Sequence, residues 1–281
     1  MKLVVCAMAK NENRYINEWV RHYLKLGFDR IYLYDNNNFD TNLVNNYIDE
    51  KYLHKVGIID IRGQVGERLQ QRIYNEFYAK YGNSFDWCLF CDIDEFLFGT
   101  GNIHTFLEQP YFRYAKQIRV MWKLFGDSEL ITRDMSKGVV ETFTKQVTSS
   151  LHRNLIYKGN LEIQGKMFVR GGLCDVVFGS PHFASFKRRD NVIPSVLPSG
   201  RPCYSKVAIT ENYSRESVFL HHYMTKSLQE FIDQKLKRTD AVYGYTIPLD
   251  YYWRINTKTK EKLDYLKSKG IDIDNSKYLG T

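Results

Sequence analysis

Trp87-Cys88-Leu89-Phe90-Cys91-Asp92-Ile93-Asp94-Glu95 is the stretch of sequence that decides the fold. Its apolar residues run directly into three acidic residues. A short, continuous apolar run is typical of a strand buried on both faces, as in a parallel sheet. Cys88 and Cys91 are three apart on this predicted strand and face opposite sides, which argues against a redox or zinc pair. The stretch predicts a central strand with acidic side chains at its carboxyl end.

The residues before this strand alternate between apolar runs and amphipathic segments, the pattern of an α/β fold. Strands are predicted at Leu3 to Ala9, Asp29 to Asp35 and Val56 to Ile61. Helices are predicted between them: one from Ile16 to a stop at Gly27, one carrying Leu43, Val44, Tyr47 and Ile48, and one from about Glu67 to Tyr81. This order predicts βαβ units around a mainly parallel sheet flanked by helices.

After residue 117 the pattern of predicted elements changes, because β-rich segments come first and helices follow them. Strands are predicted at Gln117 to Trp122, Gly165 to Arg170, Lys206 to Thr210 and Ser217 to His222. The proline-rich stretch from Ser180 to Pro202 is expected to be an irregular loop. Ser227-Leu228-Gln229-Glu230 predicts a capping box that starts a helix.

Composition and charge limit the class of protein. The net charge of +8 favours an anionic partner: nucleotide phosphates, anionic lipid or nucleic acid. Five cysteines, an odd number in apolar surroundings, disfavour a disulfide framework and favour a reducing compartment. The first apolar run is too short for a signal peptide or a membrane span, so we expect a cytoplasmic protein. The basic segments 187–189 and 257–269 leave contact with the inner face of the membrane as an alternative.

Asp92 and Asp94 are the first candidates for a chemical role. Two residues apart at a strand end, they are expected to point to the same side, with Glu95 as a third carboxylate beside them. Paired carboxylates on a rigid strand end are suited to Mg²⁺ or Mn²⁺ that also takes phosphate oxygens. One imidazole of His221-His222 is a further candidate ligand, with a buried structural histidine as the alternative.

Polar residues at the other predicted strand ends are candidates for holding a nucleotide. They are Lys10, Asn11 and Glu12 after the first strand, Asp35 and Asn36 after the second, and Arg68 and Gln71 on the third helix. Each of them is also compatible with an ordinary turn or a solvated helix face.

Several stretches together resemble glycosyltransferase family 92 and its bacterial family-2-like relatives, over about residues 3–240. The most specific are Asp92-Ile93-Asp94-Glu95-Phe96-Leu97 and the block from His222-Tyr223 to Glu230-Phe231. The others are Ala9-Lys10-Asn11-Glu12, Tyr34-Asp35-Asn36-Asn37, Gln71-Arg72-Ile73-Tyr74-Asn75 and Trp122-Lys123-Leu124-Phe125-Gly126.

The resemblance implies a GT-A type fold, a UDP-sugar donor, a divalent metal and inversion at the anomeric carbon, in a hexosyltransferase of polysaccharide biosynthesis. It implies that Asp94 binds the metal, that Asp92 serves the ribose or the metal, and that His222 rather than His221 lies near the metal. Asp127 is a candidate for the base that deprotonates the acceptor hydroxyl of a glycan or polysaccharide.

The predicted organisation is one GT-A type domain over residues 1–240, with a nucleotide-sugar half (1–100) and an acceptor half (101–240), followed by a basic extension (241–281). Two rival functions are a nucleotidyltransferase and a non-enzymatic binder of anionic ligands. The first lacks an upstream glycine-rich phosphate loop. The second lacks any nucleic-acid-binding motif, so nucleic acid is not an expected partner.

Overall fold

A computed structural model describes residues 1–147, 164–186, 195–203, 216–236 and 247–271, together with the backbone of two short strands at 156–157 and 160–161. The chain divides into two compact units. The first contains residues 1–123 and 162–222, and the second contains residues 124–161 and 223–281.

The first unit is built on a large, mostly parallel sheet flanked by helices, as predicted. The strands of the described chain, in both units, are β1 Leu3–Ala9, β2 Arg30–Asp35, β3 Val56–Asp60, β4 Trp87–Phe90, β5 Glu95–Phe98, β6 Gln117–Leu124, β7 Ile156–Tyr157, β8 Asn160–Leu161, β9 Gly165–Arg170, β10 Val176–Ser180, β11 Phe183–Phe186, β12 Ser195–Val196, β13 Pro202–Cys203 and β14 Phe219–His222. The large sheet of the first unit has the order β13-β12-β6-β9-β4-β1-β2-β3.

The central strands are apolar because both of their faces are covered. Every residue of β4 is buried, and β1 is buried at all positions except Met8. β1 pairs in parallel with β2 and β4, and its last residue, Ala9, lies opposite Asp35 of β2. β9 is inserted antiparallel between β4 and β6. This insertion brings a distant strand beside the carboxyl end of β4.

Two helices flank this part of the sheet. α1 (Asn13–Leu26) ends where Gly27 takes φ 109°, a left-handed conformation that glycine adopts without strain. After the short α2 (Glu50–Leu53), α3 (Leu69–Tyr81) buries Ile73, Tyr74 and Phe77 against β1, β4 and β9. α4 (Ile103–Leu107) is capped by Asn102, whose side chain accepts two backbone N–H groups.

The second unit has a helical core of its own. Its helices are α5 (Val139–Thr142), α6 (an α-helical turn, Leu228–Glu230, continuing as a π-helical segment, Phe231–Leu236), α7 (Leu249–Trp253) and α8 (Lys260–Ser268). Leu228, Phe231, Tyr252 and Leu266 are buried together. The predicted capping box is confirmed, because Ser227 and Glu230 bond each other's backbone N–H groups.

The prediction of an α-helix around residues 43–48 is wrong. A short 3₁₀ turn, Val44–Tyr47, takes its place, and the chain is extended at Ile48 before α2 begins. Two contacts explain this. The Val44 N–H donates to the Asp35 carboxylate at 2.8 Å, and Asp49 exchanges two hydrogen bonds with the side chain of Asn17.

The described parts of the stretch from Ser180 to Pro202, residues 180–186 and 195–202, are more regular than predicted. β10 and β11 form a hairpin, and β12 joins the sheet beside β6. The predicted strand from Lys206 to Thr210 and the basic segment 187–189 lie outside the described residues. Within the described part of the chain, no helix has the length and apolarity needed to cross a membrane.

Candidate active site

The acidic residues after β4 lie in a tight turn, because the strand ends at Phe90. The Glu95 N–H donates to the Asp92 carbonyl at 3.1 Å, and the Glu95 carboxylate accepts the Asp92 N–H at 2.9 Å. Trp19 of α1 donates its indole N–H to the carbonyls of Asp92 and Glu95, both at 3.0 Å. The turn is therefore held by α1 as well as by the sheet.

Glu95 is part of the support of this turn. It is fully buried, and burial raises the pKa of its carboxyl group well above the ordinary value despite the nearby Lys166. A fully buried carboxyl group that bonds the backbone of the turn is a weak candidate for a metal ligand.

Asp92 is bound through both of its carboxylate oxygens. Oδ2 lies 2.8 Å from the ammonium of Lys166, and Oδ1 accepts a hydrogen bond from the side-chain amide of Gln70. Burial alone would raise the pKa of Asp92, but the charge of Lys166, its hydrogen bond to the carboxylate and the nearby His222 together lower it. Asp92 is therefore ionised, and its side chain is 32% exposed.

Lys166 is delivered by the pairing of β9 with β4. Met167 lies opposite Phe90, so Lys166 falls beside the residues that follow β4. Its side chain is 1% exposed. Burial alone would lower the pKa of Lys166, but the carboxyl groups of Asp92 and Glu95 outweigh burial and raise it.

Asp94 has a different partner. Its Oδ1 lies 3.4 Å from Nε2 of His222, and both side chains are buried. The β14–β5 ladder produces this approach, because it sets His222 opposite Glu95, the residue after Asp94. Asp92 and Asp94 thus have separate partners, because they lie in a turn, where the alternation of a strand does not apply.

One aromatic side chain, Trp122, packs against His222. The Trp122 ring lies 4.3 Å from the His222 ring and 5.4 Å from the His182 ring, centroid to centroid. His182 bonds the Gly165 carbonyl at 2.9 Å, and burial together with the nearby Lys166 lowers its pKa to about 3. His182 is therefore neutral at physiological pH.

His221 lies apart from this cluster. It is set opposite Phe96 in the ladder, and its ring lies 4.3 Å from that of Phe98. Of the two adjacent histidines, His222 is therefore the one that approaches Asp94.

The fit of this site to a divalent cation rests on two side chains. Asp94 and His222 offer an oxygen and a nitrogen that Mn²⁺ binds, and such ions commonly take few protein ligands together with water and phosphate oxygens. Among the described residues, no group of three or more His, Cys, Asp or Glu side chains is arranged to hold a metal. The described structure therefore brings Asp94 and His222 together but does not group all three predicted ligands, because Asp92 pairs with Lys166.

The predicted nucleotide-binding residues after β2 are engaged in shaping loops. The Asp35 carboxylate is buried and accepts the N–H groups of Asn37 and Val44. Asn36 donates its side-chain amide to the carbonyls of Ile61 and Gln64. These contacts join the loops that follow β2 and β3 at one edge of the sheet.

The residues after β1 lie at the same edge. Asn11 takes φ 57° and donates its N–H to the Asn37 side chain at 2.8 Å. Lys10 is half-buried and Glu12 is 4% exposed. The structure thus brings the predicted residues of the first two loops together.

The two predicted residues of α3 differ in their environment. Arg68 is exposed and precedes the helix at φ 55°, whereas Gln71 is buried. The residue of α3 that contacts Asp92 is Gln70, between them in the sequence.

A comparison with known protein families identifies the family of the chain. The family model for glycosyltransferase family 92 matches residues 1–177, more than half of the chain. The chain belongs to glycosyltransferase family 92. The resemblance predicted from sequence is confirmed, and the match includes Asp92, Asp94 and Lys166 but ends before His222.

Two curated members of family 92 are similar to the chain. A protein of Oryza sativa subsp. japonica is 29% identical over 161 residues, which is 55% of this chain and 26% of that protein. A protein of Ricinus communis is 26% identical over 99 residues, 34% of this chain and 17% of that protein. The matched region thus spans about a quarter or less of these family 92 relatives.

Among solved structures, HddC from Yersinia pseudotuberculosis matches at a TM-score of 0.37 and 11% identity. The match covers 70% of this chain and 89% of that chain. This similarity is too low to support any statement about function.

Asp127, the predicted base, belongs to the second unit and is 4% exposed. Its Oδ2 accepts hydrogen bonds from the Tyr252 hydroxyl and the Lys262 ammonium, and its Oδ1 accepts the Glu129 N–H at 2.8 Å. The Asp127 N–H donates to Asn256 at 2.7 Å. These contacts favour a structural role for Asp127 over that of a general base.

Three residues around the acidic turn were not predicted from the sequence. Lys166 carried a signal, because it is a lone charge in the otherwise apolar Gly165 to Val169 stretch. The sequence gives no signal for Gln70 or His182, because a glutamine on a helix and a histidine in a loop are both common. Only the pairing of β9 with β4 and the packing of α3 bring the first two to Asp92.

Proposed function

We propose that this member of family 92 transfers a sugar, a hexose, from a UDP-sugar to a hydroxyl group of a glycan or polysaccharide, with a divalent cation and with inversion at the anomeric carbon. The observation that carries the proposal is the pair Asp94 and His222 beside the ionised Asp92, at the carboxyl end of a buried strand of a mostly parallel sheet. Nucleotides bind at this end of such sheets.

Asp94 and His222 are the residues that would hold the cation. Mn²⁺ or Mg²⁺, when bound, neutralises the negative charge that develops on the departing nucleoside diphosphate. The hydrogen bonds from Trp19 to the turn keep the Asp94 backbone in place before a ligand arrives. Such preorganisation lowers the cost of ordering the site during the reaction.

The other proposed donor contacts lie along the same sheet edge. Asp92 offers an ionised, partly exposed carboxylate to hydroxyl groups of the donor. The loop residues Lys10, Asn11, Glu12, Asp35 and Asn36 and the helix residues Arg68 and Gln71 remain candidates for contacts with base and ribose. The half-buried Trp122 supplies an apolar face beside His222, a surface on which sugars stack.

A thermal-shift experiment tests the cation and donor together. We expect UDP with MnCl₂ to stabilise the wild-type protein, by about 2.7 kcal/mol at a UDP concentration a hundred times its Kd. UDP with EDTA should stabilise it less, and GDP and CMP should have little effect. In Asp94→Asn and His222→Gln the manganese-dependent part should disappear, because each variant removes one ligand.

His221→Gln is the matched control, because His221 is the neighbouring histidine and contacts Phe98. It should keep the manganese-dependent stabilisation. Stabilisation of Asp94→Asn equal to that of the wild type would contradict the cation assignment.

Activity assays distinguish a glycosyltransferase from a nucleotidyltransferase. The protein should release UDP from a UDP-sugar, and proton NMR of the glycoside product should show an anomeric configuration opposite to that of the donor. Release of pyrophosphate from UTP and a sugar 1-phosphate would instead identify a nucleotidyltransferase.

A further inference from the structure

His182 lies in the turn between β10 and β11, and this hairpin is anchored to the rest of the first unit. Asn75 of α3 exchanges two hydrogen bonds with the backbone of Phe178 in β10, at 3.1 and 3.0 Å. In β11 the Ala184 N–H donates to the side chain of Gln117 at 2.8 Å. Both strands of the hairpin are held, so the position of His182 is set before any ligand binds.

One ring nitrogen of His182 has a partner that fixes the tautomer. Nδ1 lies 2.9 Å from the Gly165 carbonyl oxygen, which only accepts hydrogen bonds, so Nδ1 carries the proton. Burial and the charge of Lys166 lower the pKa of His182 to about 3, and the ring is therefore neutral. In a neutral ring with the proton on Nδ1, the other nitrogen, Nε2, has a lone pair and acts as an acceptor.

Nε2 of His182 is not used within the described part of the chain. No described residue bonds it, and the ring is half-buried, so the atom is not enclosed by protein. The indole N–H of the neighbouring Trp122 is buried and also has no hydrogen-bond partner among the described residues. An acceptor and a donor on adjacent rings thus lack partners. Hydroxyl groups are suited to both, because a hydroxyl donates one hydrogen bond and accepts others.

The contacts of Trp122 place these groups next to the proposed donor site. Its ring lies 5.4 Å from the His182 ring, at an angle of 80°, and 4.3 Å from the His222 ring. His222 approaches Asp94, the other proposed cation ligand, at 3.4 Å. The sugar of a nucleotide sugar is joined directly to the diphosphate, and aromatic rings are surfaces against which sugars pack. The transferred hexose is therefore the part of the donor closest to Trp122 and His182.

We propose that His182 is a specificity-determining residue, whose Nε2 accepts a hydrogen bond from one hydroxyl group of the transferred hexose while that hexose lies against Trp122. This inference rests on the proposed function and extends it to recognition of the sugar. The contact moves no proton. A general base works best when its pKa is near the working pH, and a pKa of about 3 makes His182 unsuited to that role.

Calorimetric titration in MnCl₂ tests the inference without an activity assay. It compares UDP with whichever of UDP-glucose and UDP-galactose binds the wild type more tightly. In His182→Phe we expect the Kd of the UDP-hexose to rise about fivefold, because one hydrogen bond to the hexose is lost. The Kd of UDP, which has no hexose, should stay within about twofold of the wild-type value.

Two further variants serve as controls. His182→Gln offers an amide oxygen as an acceptor in place of Nε2 and should keep the Kd of the UDP-hexose within about twofold. Ser185→Ala removes a hydrogen bond of 3.4 Å to the Val177 carbonyl in the same hairpin, and should leave the Kd of both ligands unchanged. Circular dichroism and thermal melting establish that each variant is folded, and His182→Ala replaces His182→Phe if the latter does not fold.

Analogues of the UDP-hexose that each lack one hydroxyl group identify the contact. One analogue should bind the wild type about fivefold more weakly than the parent UDP-hexose does. His182→Phe should bind that analogue and the parent equally well, because this variant has already lost the acceptor.

The outcomes separate this inference from the proposed function. The inference is overturned, while the proposed function stands, if folded His182→Phe binds the UDP-hexose as the wild type does. The same holds if the Kd of UDP rises as much as that of the UDP-hexose, or if the losses from variant and analogue add for every hydroxyl group. A wild-type protein that binds neither UDP-hexose overturns the proposed donor and this inference with it.

Discussion

The carboxylate of Asp92 meets a lysine ammonium and a glutamine amide, whereas that of Asp94 meets a histidine ring. Both residues have the same side chain, and only Ile93 separates them. Their difference comes from the strands that pass on either side, β9 with Lys166 and β14 with His222. At the scale of single residues, the neighbour in space sets the chemistry of each carboxylate.

A substitution at Asp127 distinguishes a structural role of this residue from a catalytic one. Asp127→Asn keeps the size of the side chain but leaves the Lys262 ammonium buried without its counter-charge. We expect it to reduce the free energy of unfolding, measured with urea, by about 3 kcal/mol or more. The turnover number of the folded protein should stay within about threefold of the wild type.

Lys262→Met is the matched variant, because it removes the other half of the same pair. It should destabilise the protein to a similar extent and leave turnover similarly intact. A general base contributes on the order of 10²–10⁴-fold to the rate. A loss of that size in Asp127→Asn, without loss in Lys262→Met, would restore Asp127 as the base.

At the scale of elements, the site depends on how closely β9 approaches β6. A Cβ atom added to Gly165, the residue before Lys166, would lie 2.0 Å from the Val120 carbonyl oxygen, a distance that real structures do not allow. Glycine is therefore required for the strand pairing that delivers Lys166, and its place in the sequence gives no hint of this.

Gly165→Ala should consequently destabilise the protein by about 2 kcal/mol or more, because the backbone of β6 or β9 has to shift. Urea denaturation measures the change. Gly179→Ala is the control, since a Cβ atom there meets nothing within 4 Å. Equal stability of the two variants would show that β9 is not held as closely as the structure indicates.

At the scale of the whole molecule, stability depends on pH through histidines that are neutral in the folded protein. His22 bonds the Leu97 carbonyl at 2.9 Å and packs against Phe96 and Phe98. Burial lowers its pKa from 6.5 to about 4. The unfolded chain therefore takes up a proton at a higher pH than the folded protein, so this contribution is full above pH 6.5 and is lost as the pH falls towards 4.

A comparison with His22→Gln isolates this effect, because glutamine can still donate to the Leu97 carbonyl but does not titrate. The stability advantage of the wild type over the variant should fall by about 1–3 kcal/mol between pH 7 and pH 4, given that His22 is half-buried. Urea unfolding across this range measures it. A difference that stays constant with pH would contradict the neutral state of His22.

The organisation into domains remains a prediction at this scale. The described part of the predicted basic extension is folded, since Tyr252 and Leu266 are buried with Leu228 and Phe231. The contacts of Tyr252 and Lys262 with Asp127 place this segment within the second unit. The extension thus takes part in a core, although the resemblance to the family does not reach it.

The sequence by itself determined the order of strands and helices up to β4, the position of the acidic turn and the family. These follow from local patterns: apolar runs, helical spacing, Gly27 as a stop, and motifs of adjacent residues. The prediction failed at residues 43–48, because side chains outside the segment bind its backbone. Asp35, nine residues before Val44, accepts the Val44 N–H, and Asn17, 32 residues before Asp49, accepts the Asp49 N–H.

Only the tertiary structure decided which partner each acidic side chain has. Lys166, Gln70 and His222 reach the turn through the β9–β4 pairing, the packing of α3 and the β14–β5 ladder, and their bonds depend on which elements are neighbours in space. Periodicity reports which face of an element is buried, but it does not report what lies opposite that face. For this reason the sequence predicted an acidic site, and the fold divided it into an ion pair with Lys166 and an approach to His222.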